Sequence, residues 1–235
     1  LKNQNVLPEE ITAVTFTNQA AKELKERLIL SVGKELANRI QAGTFHSICM
    51  KLLKDSGKEF HLVQEAECIE LAEHILNSFE HKKRVTAKQI VEQSSRKKML
   101  LSYKNSLEDP FLLAYEKALN TENALDFDDL LLETLKCYET EEFPRDCFSY
   151  LLVDEVQDIN LIQYRLLKTW NKNGKELFVI GDPDQAIYGF RGALSDCFKR
   201  IQQEMPETKT IRLTENYRST PQILSLAECI ISEKD

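Results

Sequence analysis

The chain has 235 residues, 42% of them hydrophobic and 29% charged, with a formal net charge of −7. That length buries one large core or two modest ones, and the acidic balance argues against a general nucleic-acid coat. No apolar run approaches the roughly 20 residues of a membrane span and no secretory leader pattern opens the chain, while six cysteines (Cys49, Cys68, Cys137, Cys147, Cys197, Cys229) without a C-x-x-C pair point to free thiols in a reducing, cytoplasmic setting rather than to zinc.

Taken in chain order, Ile11 to Thr17 is rich in β-branched residues and predicts a strand. Asn18 opens a helix to about Ser31 with Ala20, Ala21, Leu24 and Leu28 on one face, so Phe16, Thr17 and Asn18 fall at a strand-to-helix turn. Phe16 suits either core packing or an exposed role at that turn. Ile40 to Thr44 predicts a second strand; Thr44 then caps a helix that stops at Gly57, with His46 in its first turn as a capping residue or a ligand contact. From Leu62 to Asn123 the apolar spacing is helical throughout and predicts an all-helical insertion. It includes a basic run (Lys82, Lys83, Arg84, Lys88, Arg96, Lys97, Lys98, Lys104) that reads as a solvated helix face or as a phosphate-binding surface. Leu125 to Leu135 begins another helix, whose aspartates suit its N-terminus electrostatically.

Leu151, Leu152 and Val153 read as a buried parallel strand ending in two adjacent carboxylates, Asp154 and Glu155. A helix follows over Asn160 to Trp170, then a strand at Leu177 to Ile180 and a glycine-flanked loop from Gly181 to Ala193. Thr210 to Leu213 predicts a third strand of this half, and the Thr220–Pro221 pair starts a last helix.

In open α/β sheets, ligands bind beyond the carboxyl ends of the strands. A strand ending in Asp-Glu serves there as a capping and solvation feature or as a pair with divided labour, in which Asp154 holds a hard cation and Glu155 takes a proton from attacking water. With Gln185 to bond a terminal phosphate and Arg218 to neutralise developing charge, the edge has the parts for phosphoryl transfer to water. Tyr188, Phe190 and Arg191 put planar side chains in one loop, suited to stacking on unpaired bases or to plugging the core beneath.

Six segments, Thr15 to Leu24, Gly43 to Ser47, Asp126 to Leu130, Asp154 to Asp158, Gly181 to Ala193 and Glu215 to Ser219, together resemble superfamily 1 DNA helicases of the UvrD/Rep/PcrA kind, in the family's order and across nearly the whole chain. The resemblance implies an α/β fold with the parallel sheet of a RecA-like P-loop NTPase and an inserted all-helical subdomain. In this numbering the first RecA-like domain would occupy 1–61 and 125–206, the insertion 62–124, and the start of a second RecA-like domain 207–235. It implies ATP and Mg2+ as cofactors, single-stranded DNA and single/double-strand junctions as partners, and 3′→5′ translocation coupled to duplex unwinding. By the same resemblance Asp154 orders Mg2+, Glu155 activates water, Gln185 senses the γ-phosphate, Tyr217 stacks on adenine and Arg218 reaches the γ-phosphate. Phe16, Asn18, Thr44, His46, Tyr188, Phe190 and Arg191 match positions along the single-strand track.

The chain departs from the family at Phe190, where tryptophan is frequent, and at Val156, where phenylalanine or tyrosine is. The phosphate loop G-x-x-x-x-G-K-[ST] is not among these residues, nor are the motifs that complete a second domain. The expectation is therefore a helicase fragment that does not turn over ATP by itself. The rival readings are a truncated DNA- or partner-binding protein and a part of a helicase–nuclease subunit. A third, an ATPase acting on something other than nucleic acid, has the aromatic loop against it.

Overall fold

The computed structural model describes residues 6–79, 85–101, 109–143 and 148–232. Lys82, Lys83, Arg84, Lys104 and Cys147 lie outside the described residues, as do the side chains of Phe190 and Arg191.

Four short strands, β1 (Ile11–Thr15), β2 (Gln41–Thr44), β5 (Tyr150–Val153) and β6 (Glu176–Val179), form one parallel sheet in the order β2-β1-β5-β6. Parallel neighbours need crossovers, and helices supply them. α1 (Asn18–Val32) and α2 (Lys34–Arg39) join β1 to β2, and α8 (Leu161–Asn171) joins β5 to β6. α2 was not foreseen. Leu151 and Val153 point into the main core beside α3 (Phe45–Asp55), α7 (Phe127–Glu139) and α8, where Trp170 stacks between Phe45 and Phe148 at ring-centroid distances of 5.5 and 4.7 Å. The intervening Leu152 lies in register with Phe178, which is 51% exposed. Leu152 is itself exposed, so β5 is buried on alternate residues and not along its whole run, as its continuous apolar sequence had suggested.

A second core belongs to α4 (Glu65–Ser78), α5 (Ala87–Met99) and α6 (Pro110–Thr121), and is built from Cys68, Ala72, Ile90, Phe111, Tyr115 and Leu119. Two-residue strands bracket it: β3 (His61–Leu62) pairs in parallel with β4 (Ala124–Leu125), so the chain leaves the helical segment beside the point where it entered.

The two cores meet at a buried ion cluster. Lys98, on α5 and only 3% exposed, lies 2.6 Å from the Asp126 carboxylate and 2.7 Å from that of Asp129 at the start of α7. Lys97 pairs with Glu116 at 3.3 Å. The solvated-face reading of the basic run is thus corrected at Lys98, whose charge is matched by aspartates 28 or more residues further along the chain. Burial pushes Asp129 up to about 6 even so.

α9 (Cys197–Glu204) anchors to the main core through Cys197 and Ile201. Thr210 to Leu213 is not a strand, a second correction: β-branched residues favour extended chain, but a strand exists only against a ladder partner, and none of the described residues pairs with it. α10 (Pro221–Ser232) begins at the expected proline and carries Ile223, Leu226 and Ile230 exposed to solvent.

Candidate functional site

All four strands of the main sheet deliver their loops to one edge, because they run in parallel and in near register: Thr15 lies opposite Thr44, and Val14 opposite Val153 opposite Val179. Pairing continues to the acidic pair, since the Asp154 N–H donates to the Val14 carbonyl at 2.9 Å. Glu155 then turns left-handed, with φ 52° and ψ 44°. A residue with a Cβ rarely adopts that conformation, and holding it costs about 1–2 kcal/mol. The surroundings enforce it. The Asp154 Oδ1 accepts the Glu155 N–H at 3.0 Å, and the Val156 N–H donates across to the Ile180 carbonyl at 3.0 Å before Val156–Asp158 closes a 3-10 turn.

Two polar residues not singled out from the sequence tie this turn to the next loop. Gln157, 4% exposed, donates from Nε2 to the Glu155 carboxylate at 2.7 Å and accepts the Asp182 N–H on Oε1 at 3.0 Å. Asp182 in turn accepts the Gln185 Nε2–H at 2.7 Å on one carboxylate oxygen and the Asp184 N–H at 3.0 Å on the other. A hydrogen-bonded path thus runs from Glu155 to Gln185 across two strands. The close approach requires Gly181, where an added Cβ would lie 2.3 Å from the Gln157 Oε1. Gly181 directly after a strand was the one signal in the sequence that a neighbour presses on the backbone there. Asp158 completes the acidic turn; burial and then the Glu155 charge raise its pKa, and one of its buried oxygens has no hydrogen-bond partner among the described residues.

A second group of residues gathers at the same edge. Phe16 stacks on Tyr188 with centroids 5.5 Å apart and planes at 28°, joining the loop after β1 to the loop after β6. Tyr188 opens the 3-10 turn Tyr188–Arg191, which ends at Gly192 with φ 81° against Met99 of α5. Asn18 is exposed at the first position of α1, where the Thr17 hydroxyl caps the Ala20 N–H at 3.1 Å. Thr44 is buried and caps α3 reciprocally with Ser47, at 3.2 and 2.8 Å. His46 follows it, half-buried and edge-on to Phe127 at 5.6 Å; burial lowers its pKa, so it is neutral near pH 7.

Tyr217 and Arg218 stand apart from this frame. Tyr217 is 93% exposed, and around it the Asn216 Oδ1 accepts the Arg218 and Ser219 N–H groups at 2.9 and 2.8 Å. The described residues contain no cluster of three or more His, Cys, Asp or Glu side chains able to hold a metal, and no helix long and apolar enough to cross a membrane.

A family described as the UvrD/REP helicase N-terminal domain matches residues 1–206. The ATP-dependent DNA helicase PcrA of Staphylococcus epidermidis is 34% identical over 98% of this chain, and that of Staphylococcus aureus 32% identical over the same share. The chain spans about a third of the length of these relatives, 35% and 34% respectively.

Proposed function

The chain belongs to the UvrD/REP helicase N-terminal domain family, and from that premise we propose that it is the ATPase-coupling part of an ATP-dependent DNA helicase that moves 3′→5′ on single-stranded DNA and opens duplexes at single/double-strand junctions. The observation that carries this reading is the pairing of two sites on one sheet edge. Glu155 and Gln185 share one hydrogen-bonded frame, and the Phe16–Tyr188 stack occupies neighbouring loops of the same edge.

In this reading Glu155 accepts the proton of the water that attacks the terminal phosphate of ATP, and Gln185 donates its amide to that phosphate or orients the water. Arg218 approaches the phosphate charge and Tyr217 stacks on adenine once their segment closes over the nucleotide. Asp154, an exposed carboxylate with one acidic neighbour, fits Mg2+, which keeps several of its waters and takes only one or two carboxylates beside the substrate phosphates. When bound there, the ion offsets the charge of the phosphates. The phosphate-cradling loop is not among these residues, so the chain by itself supplies the hydrolytic half of a nucleotide site.

Phe16, Asn18, Thr44, His46, Tyr188, Phe190 and Arg191 would line the single strand, with aromatic rings stacking on bases. The residues 1–61 with 125–206, 62–124 and 207–235 would be the first RecA-like domain, its helical insertion and the opening of the second domain. The separate cores of sheet and insertion support that division.

The test is steady-state phosphate release by the complete protein with and without single-stranded DNA. Glu155→Gln is expected to lower turnover about 10²- to 10⁴-fold and leave DNA affinity intact. The 235 residues alone are expected to release no phosphate. Turnover that survives Glu155→Gln would remove Glu155 from the chemistry and, with it, this reading.

A further inference from the structure

Gln157 is an almost fully buried amide whose two hydrogen-bond partners among the described residues have a fixed hydrogen-bonding sense. A carboxylate can only accept and a backbone N–H can only donate, so its Nε2 must face Glu155 and its Oε1 must face Asp182. No other neutral side chain of that length satisfies both partners at once. Glu155 also needs such a partner. Its backbone is held in the left-handed region, and its carboxylate would otherwise be free to swing into solvent. Resting on the function proposed above, we infer that Gln157 is a positioning residue: it fixes the Glu155 carboxylate and, through Asp182, the Gln185 amide in one register, so that both address the same phosphate and water.

The arrangement makes the two loops a single mechanical unit. A shift of the loop after β6, which also carries Tyr188 on the aromatic edge, reaches Glu155 through two hydrogen bonds of 3.0 and 2.7 Å. Gly181 leaves the space for that link. The Gln157 side chain approaches neither nucleotide nor DNA in this reading, because it is buried beneath the turn.

The experiment uses the complete protein that carries this chain, with ATP and single-stranded DNA. Gln157→Glu keeps the size and the acceptor for Asp182 but replaces the donor to Glu155 with a second carboxylate. Turnover is expected to fall about 10- to 100-fold, as a displaced catalytic group costs, with the KM for ATP and DNA affinity changed less than about threefold. Gln157→Ala should behave alike in kcat. The pH profile separates positioning from packing. Two adjacent carboxylates share a proton readily, so in Gln157→Glu the new carboxyl regains its donor on protonation. The activity ratio of Gln157→Glu to parent should therefore rise as pH falls from about 8 toward 6, and that of Gln157→Ala should stay flat. Equal, pH-independent losses in both variants, matched by a drop in melting temperature, would mean that Gln157 only packs and would overturn the inference. So would full turnover in both variants while Glu155→Gln is inactive. Activity that persists in Glu155→Gln instead overturns the functional reading on which this rests.

Discussion

Glu155 and Gln185 stand on loops whose parent strands are paired with neighbours and whose side chains are joined by hydrogen bonds across the gap. Tyr217 and Arg218 stand in a stretch where Leu213 is 90% exposed and no sheet partner exists among the described residues. Both pairs are polar or planar residues of the right type, in motifs of equal clarity. The difference teaches that a motif names chemical groups, whereas neighbouring parallel strands are what hold such groups in one geometry. The sheet-borne half of the proposed site is built. The half proposed after α9 has its groups but, among the described residues, not their frame.

The sharpest way to break this contrast is to weaken each half where it is thickest. Trp170→Ala empties the space between Phe45 and Phe148, and a buried aromatic cut to alanine costs about 3–5 kcal/mol. Leu226→Ala on α10 removes an exposed side chain and should change stability by less than about 0.5 kcal/mol. Urea unfolding of the 235-residue chain measures both. Comparable losses would show that α10 is as tightly packed as α8.

The joint between the two cores comes next. Lys98→Met leaves Asp126 and Asp129 buried beside no cation, a change worth about 3–5 kcal/mol at pH 8. The cost should shrink toward pH 5, because protonation of Asp129 relieves its stranded charge. In the parent the sign is set by Asp129, whose folded pKa of about 6 lies above its ordinary value of 3.8. The folded state then binds more protons than the unfolded state between those values, so stability falls as pH rises through that window. Asp129→Asn mimics the neutral form and should flatten the fall. A parent whose stability rises relative to Asp129→Asn from pH 4 to 6 would contradict the burial of this carboxylate.

What the residues reveal in advance, and what they do not, follows the range of the interaction. β1, β5 and β6 were legible because a strand's own side chains advertise it, and the Thr44 cap because a cap acts within three residues. Lys98 was misread as a solvated charge because its partners lie on another helix. Thr210 to Leu213 has the composition of a strand, but pairing is a property of two segments and only one was in view. The Gln157–Asp182 bond spans 25 residues and depends on Gly181 granting space. Each chemical type could be named from the sequence, while each long-range bond had to be seen.

A smaller effect tests whether the aromatic edge belongs to the built half. Phe16 and Tyr188 stack between loops of different strands, and such pairs contribute about 0.5–1.5 kcal/mol beyond area burial. A double-mutant cycle with Phe16→Leu and Tyr188→Leu in the 235-residue chain should return coupling of that size. Coupling indistinguishable from zero would mean that the two loops are placed independently. In the complete protein, Tyr188→Leu should also weaken single-strand binding about five- to 150-fold if the ring takes a base.

Tyr217 gives the smallest expected change in stability and the most direct test of the other half. Its ring is 93% exposed, so truncation removes almost no buried surface, and Tyr217→Ala should move the unfolding free energy of the 235 residues by less than about 0.5 kcal/mol. Its functional cost should be far larger in the complete protein. Losing one stacking platform forfeits roughly 1–3 kcal/mol, or about a five- to 150-fold weaker hold on the nucleotide. Nucleotide titration and thermal unfolding on the same variant separate the possibilities. Weak nucleotide binding with unchanged stability is the signature of a group whose frame forms around the ligand. A melting temperature lowered by several degrees in the short chain would mean that this segment is already packed against the sheet domain. The contrast between a built half and an unframed half would then fall. Unchanged nucleotide affinity with unchanged stability would instead leave Tyr217 outside the adenine site, because an exposed ring that touches neither core nor ligand has nothing to lose on truncation.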